Sequence, residues 1–170
     1  MKYLAGILLL ITLVSSVSGQ TSPHPSFEQT LRLTRQAWNH SQTAANLFSL
    51  YNGAADLEEI KFHSYEALTA MDSLYMNARK ASFLTSDAAF LAGNMKLETE
   101  KQLAERIQSS LDEAIRTLSL ARNSLSLIFD EQIPSNIDIQ LTQTLDHFSL
   151  TRKYLKQAER DLKTAMKIKR

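Results

Sequence analysis

Apolar positions in this chain recur at alternating steps of three and four, a spacing that keeps them on one side of an α-helix. The most regular run lies between Lys96 and Phe129, where Ala104, Ile107, Leu111, Ala114, Leu118, Ala121, Leu125 and Ile128 form a single seam. Polar residues such as Glu105, Arg106, Ser109, Asp112, Glu113 and Arg116 take the other side. A helix of this length extends roughly 50 Å at about 1.5 Å per residue, and it is stable in water only if other helices cover its stripe.

The remaining segments read as that cover. The first helix is expected over residues 26–51, with Ser26 as N-cap and a stripe of Phe27, Leu31, Thr34, Trp38, Ser41, Ala45 and Phe48. A lone Trp on such a stripe, Trp38, is expected in the core. Asn52-Gly53 ends this helix and turns the chain. The second is expected over 56–92, capped by Asp56, with Leu57, Ile60, Ser64, Ala67, Met71, Leu74, Ala78, Ala81, Thr85, Ala88 and Ala92 in its seam. Thr85-Ser86-Asp87 has the composition of a fresh N-cap, but the register survives it, so one continuous helix is expected.

Gly93-Asn94 makes the next turn, into the third helix over 96–130. Pro134 then forbids a continued ladder, and Ser135 or Asn136 can cap a fourth helix over 136–168, whose seam holds Leu141, Thr144, Phe148, Thr151, Leu155, Ala158, Leu162 and Ala165. Short turns between long helices force neighbours antiparallel. The expected architecture is therefore all-α, an up-down-up-down antiparallel four-helix bundle forming a single domain over 26–170.

Composition agrees: 170 residues with 44% hydrophobic content, four Gly and three Pro suit a domain that buries its own core. Cysteine is absent, which removes disulfides, thiolate metal sites and a thiol nucleophile together. At the N-terminus, Lys2 precedes an apolar run from Leu4 to Val14, followed by small residues up to Gly19. These are the parts of a secretory signal peptide over 1–19, and the run is short for a bilayer span. Cleavage is expected between Gly19 and Gln20, leaving a linker over 20–25. Loss of Lys2 brings the 19 basic residues level with the 18 acidic ones, so the exported chain is close to neutral.

Signatures of enzyme chemistry are absent: there is no phosphate-binding glycine loop, nucleophile elbow, His-Glu-x-x-His or Glu-x-x-His. Glu58-Glu59, Glu98 with Glu100, and Asp112-Glu113 fall on polar faces, where carboxylates are solvated and keep ordinary pKa values. The candidate ligating set is His40, His63 and His147 with Met71 or Met95, the kind of side chains with which bundles hold metal or haem. Each His stands one position before a seam residue, about 100° from the stripe, which favours a boundary position. No cofactor is expected.

Two surfaces stand out as places for a partner. Leu120 and Leu127 lie on the outer face of the third helix, with Ile133, Ile137 and Ile139 following; either the bundle is thicker at this end, or an apolar patch meets a partner or a second copy of the chain. Residues 152–170 carry eight basic residues, among them Lys156, Lys163 and Lys167, against only Glu159 and Asp161. Cations are favoured at a helix C-terminus, and the same excess suits an anionic partner. Nucleic acid is a poor candidate, because no aromatic residues for stacking are interleaved with these charges beyond Tyr154.

The sequence thus leads to an exported, non-enzymatic bundle, periplasmic or secreted, that binds a protein or an anionic envelope component and can self-associate. A metal- or haem-binding bundle is the alternative. Export has a direct check: mass spectrometry of protein recovered outside the cytoplasm should show a chain beginning at Gln20, whereas an intact Met1 chain held in the membrane fraction would refute cleavage.

Overall fold

The computed structural model describes residues 22–51 and 56–168. The expected signal segment with its cleavage point, the Asn52-Gly53 turn, and Lys169 with Arg170 lie outside the described residues. Among the described residues there are four α-helices and no strands: α1 (His24–Leu50), α2 (Leu57–Asn94), α3 (Glu98–Ser126) and α4 (Pro134–Ala165). Each helix packs on the next in sequence, and α1 meets α4 along a thinner seam. This is the all-α four-helix bundle that the periodicity predicts.

Every residue of the α3 seam from Ala104 to Ile128 is fully buried. The α2 seam is buried from Ser64 to Ala92, whereas Leu57 and Ile60 at its start are only partly covered, and the helix passes through Thr85–Asp87 without a break. Most of that inner face is Ala, which lets neighbouring backbones come close. Large side chains fill the space from the other side, among them Leu111, Leu118, Leu155 and Leu162.

Several small hydroxyl residues on the buried face satisfy themselves, whereas the buried Thr30 Oγ1 has no partner among the described residues. Thr34 donates to the Thr30 carbonyl at 2.8 Å, Ser64 to Ile60 at 2.8 Å and Thr85 to Ala81 at 2.8 Å, each one turn back along its own helix. Thr117 and Thr151 also share a hydroxyl contact of 2.9 Å that ties α3 to α4.

In α1 the buried face is rotated from the one expected. Phe27, Thr30, Thr34, Ala37, Ser41, Ala44 and Phe48 point inward. Leu31, Trp38 and Ala45 flank the core and are only partly covered. Close packing selects the row with the smallest side chains, and large residues move to its edges. The expectation that Trp38 lies in the core is corrected accordingly.

Helix ends also depart from the expected ones. α1 starts at His24, with Pro25 in the first turn, where its missing N–H is no loss; Ser26 is a buried first-turn residue and not the cap, and the linker is shorter than 20–25. Asp56 does cap α2, accepting the Glu59 N–H at 2.9 Å. α3 ends at Ser126, short of 130, and α4 starts at Pro134 with Ile133 at the cap position, ahead of Ser135 and Asn136. The side chain that secures this turn is Glu131. It accepts from the N–H groups of Gln132 and Ile133, both at 2.9 Å, and from Asn136 Nδ2 at 3.0 Å. These donors, that of Ile133 foremost, hold its carboxyl below the usual range.

Between α2 and α3 the left-handed residue is Lys96, at φ 57°, and not Gly93 or Asn94. The Lys96 N–H bonds to Gly93 O at 3.1 Å and the Leu97 N–H to Ala92 O at 2.9 Å, the two bonds of a Schellman C-cap with Lys96 where glycine is usual. Gly93 sits inside the helix, where an added Cβ would come no closer than 3.8 Å to Lys101 Cδ. Two substitutions follow from this geometry. Lys96→Gly should stabilise the fold by about 1 kcal/mol by relieving the positive φ, and Gly93→Ala by roughly 0.5–1 kcal/mol through helix propensity. Each should raise the Tm by about 2–4 °C; a fall for Lys96→Gly in a thermal melt would refute the left-handed assignment.

Candidate functional site

The thin seam between α1 and α4 opens into a groove of about 640 Å³. Its floor is aromatic: Phe48 of α1 meets Phe148 of α4 edge to face, with ring centroids 5.2 Å apart. Trp38 forms the α1 wall, and Arg152, Lys153, Lys156 and Arg160 line the α4 side. No acidic residue is among the lining side chains.

This geometry follows from helical spacing. Arg152, Lys156 and Arg160 stand four apart and form one row along α4, beside the buried Thr151, Leu155 and Ala158. Trp38, pushed out of the α1 core row, lies opposite that row. The Arg152 guanidinium sits over the indole at 4.8 Å from the ring centroid, and Lys156 Nζ at 5.0 Å. Arg152 also donates from Nη2 to Gln42 Oε1 at 3.0 Å, which fixes the guanidinium across the seam. One indole therefore holds two cations that repel each other, so a negative group entering the groove relieves that repulsion as well as gaining its own attraction.

The basic residues singled out from the sequence separate here. Lys156 lines the groove, whereas Lys163 and Lys167 do not. Lys163 Nζ pairs with Glu159 Oε1 at 2.8 Å, and the same oxygen takes Arg35 Nε at 3.4 Å from α1. The hydrogen bond from Lys163, and then that from Arg35, hold the Glu159 carboxyl below the usual range despite an opposing push from burial. Another carboxylate, the buried Asp161, pairs with Arg106 of α3 and accepts from Gln157 Nε2 at 3.1 Å. Arg152, Lys153 and Arg160 belong to the basic excess counted from the sequence but were not singled out within it; the row at i, i+4 and i+8 was the available signal, and only the position of Trp38 gives it a partner.

Leu120 and Leu127 are exposed, Leu127 to 58%, and Ile133 and Ile139 beyond them are exposed too, while Ile137 is buried. The end of the bundle does not cover this side of α3. His40, His63 and His147 come from three different helices, and among the described residues no three His, Asp or Glu side chains converge on a point where a metal could sit. His63 is flanked on its own helix by Glu59, at 3.8 Å, and by Glu66, at 3.5 Å. Met71 is sealed in the core, and Met95 is exposed at the α2 C-cap. Burial pushes the Tyr51 hydroxyl up to about 12 and raises Asp87, but neither lines the groove.

No known protein family, curated protein or solved structure matches the chain.

Glu159 gives this site a pH dependence whose sign can be worked out. Its carboxyl is lowered in the folded state, so the stability it contributes is present above the ordinary glutamate range and is lost as pH falls through the lowered folded value. Glu159 is partly covered and its partners Lys163 and Arg35 are exposed, so Glu159→Gln should destabilise by under about 1 kcal/mol at neutral pH. Urea melts should show that difference vanishing in acid, and a difference that persists there would contradict the assignment.

Proposed function

We propose that this chain is an exported, non-enzymatic binding module whose α1–α4 groove receives an acidic segment of a partner protein. The observation that carries the reading is the lining itself, four cationic side chains with no carboxylate among them over an aromatic floor. Carboxylates of the partner would meet Arg152, Lys153, Lys156 and Arg160, and an apolar side chain would lie against Leu145 and Trp38, above the nearly closed Phe48–Phe148 floor. A purely charged polymer would leave these apolar surfaces unused. Export rests on the basic start, apolar run and small residues that precede Gln20. The lack of enzyme motifs supports a binding role.

Trp38 is the single tryptophan, so its emission reports occupancy of the groove directly. Titration with an acidic peptide alternating Glu and Phe should shift that emission at low salt. The shift should weaken as the screening length falls from about 10 Å at 0.1 M to about 3 Å at 1 M. Replacing Lys156 and Arg160 together by Gln should weaken the peptide roughly tenfold or more, whereas replacing Lys163 and Lys167 by Gln should not. Tighter retention of polyglutamate or heparin than of the mixed peptide would sink the peptide reading, and equal effects from the two double variants would sink the groove.

A further inference from the structure

The outer face of α2 carries an apolar row that the bundle does not use. Phe62, Met76, Phe83 and Phe90 recur with a period of seven, completed by Thr69, and all four apolar side chains are more than half exposed, Phe83 and Phe90 to 68%. Thr69 turns its hydroxyl back to the Tyr65 carbonyl at 3.1 Å, which leaves its methyl outward. Scattered exposed hydrophobics are ordinary on a protein surface, but a row in register over four heptads is not. A strict seven-residue period is the spacing at which a second long helix stays in contact through a left-handed supercoil.

We propose that this row is the interface of a homodimer, in which α2 of a second copy lies antiparallel across α2 with the two-fold axis at Met76. Charge pattern selects both partner and direction. On one flank of the row, Asp72 precedes Met76 by four residues and Arg79 follows it by three, and an antiparallel dyad at Met76 keeps equal flanks together, so Asp72 of each copy lies beside Arg79 of the other. The same register brings Phe62 to Phe90, Thr69 to Phe83 and Met76 to itself. Thr69, the one small member of the row, thus leaves room for the Phe83 ring. A parallel pair would exchange the flanks and set Ser73 in place of Arg79 beside Asp72.

Asp72 is held in place for this contact by its ion pair with Arg122 of α3, whose guanidinium also lies 5.2 Å from the centre of the Tyr75 ring. Beside the axis, an apolar recess of about 480 Å³ bounded by Leu33, Met76, Phe83 and Leu84 gives the partner's side chains a place to enter. At roughly 200 Å² for a full aromatic side chain, the exposed parts of the row and of Tyr65 come to on the order of 500 Å². That is over half of the about 800 Å² per partner in a standard interface, before the charged flanks are counted.

Sedimentation of the purified protein should show a dimer. Met76→Glu with Phe83→Glu should raise its dissociation constant by at least about thirtyfold while matching the thermal melt of the native protein at dilutions where both are monomeric, because both side chains are exposed in the single chain. With no native cysteine, one introduced thiol maps the register. Met76→Cys should cross-link to itself through a short bismaleimide; Phe90→Cys should not, but should cross-link when mixed with Phe62→Cys. A monomer at millimolar concentration overturns the proposal, as does a dimer that survives the double Glu variant. Self-cross-linking of Phe90→Cys as efficient as that of Met76→Cys overturns the antiparallel register.

Discussion

Close approach of the helix backbones, allowed by small side chains on the inner faces of α1 and α2, is the constraint on which the rest of this structure depends. Ala67, Ala78, Ala81, Ala88 and Ala92 on α2, and Ala37 and Ala44 on α1, are fully buried. Large residues enter those faces only at a few levels, Met71 and Leu74 on α2 and Phe27 and Phe48 on α1; more of them would force the helices apart and forfeit dispersion contacts along the seam. Bulky side chains on α2 therefore stand outside, in the row from Phe62 to Phe90, and Trp38 on α1 is displaced to the flank.

The same constraint shapes the groove. α1 is committed to α2 and α3 to α4, so the seam between α1 and α4 is the one that closes least. It is bridged by the Phe48–Phe148 ring pair, by Arg152 on Gln42 and by Arg35 on Glu159. An edge-to-face ring pair contributes roughly 0.5–1.5 kcal/mol beyond its buried area, enough to register two helices without packing them tightly. What remains above the rings is a cleft whose cations lean on an indole.

Charge is distributed so that acids are engaged between helices while part of the basic excess of α4 stays available. Asp161 pairs with Arg106, Asp72 with Arg122, and Glu159 with both Lys163 and Arg35. Ser82 donates to Asp112 at 2.6 Å across α2 and α3. Apart from that of the buried Asp161, these pairs lie at the surface and contribute little to stability. Their larger effect is to sort the cations of α4, leaving Arg152, Lys153, Lys156 and Arg160 facing the groove without a carboxylate beside them.

The number of helices, their order and the seams of α3 and α4 were determined by the sequence alone, because a 3.6-residue period is a local property that each segment carries by itself. Asp56 as a cap and the continuity of α2 past Thr85–Asp87 were legible for the same reason. The row at 62, 69, 76, 83 and 90 is equally regular in the sequence, yet α2 has two apolar stripes, and nothing local says which one faces inward. Tertiary packing decided that, by choosing the stripe of small residues, just as it chose Thr30, Ala37 and Ala44 over Leu31, Trp38 and Ala45 on α1. It also moved the positive φ to Lys96, since the C-cap bonds fall where the α2 ladder ends and not where a glycine happens to stand. The basic excess of α4 could be counted from the residues, but its division into Lys163 beside Glu159 and Lys156 above Trp38 required the neighbouring helix, because a charge is paired or left facing a cleft by groups distant in sequence.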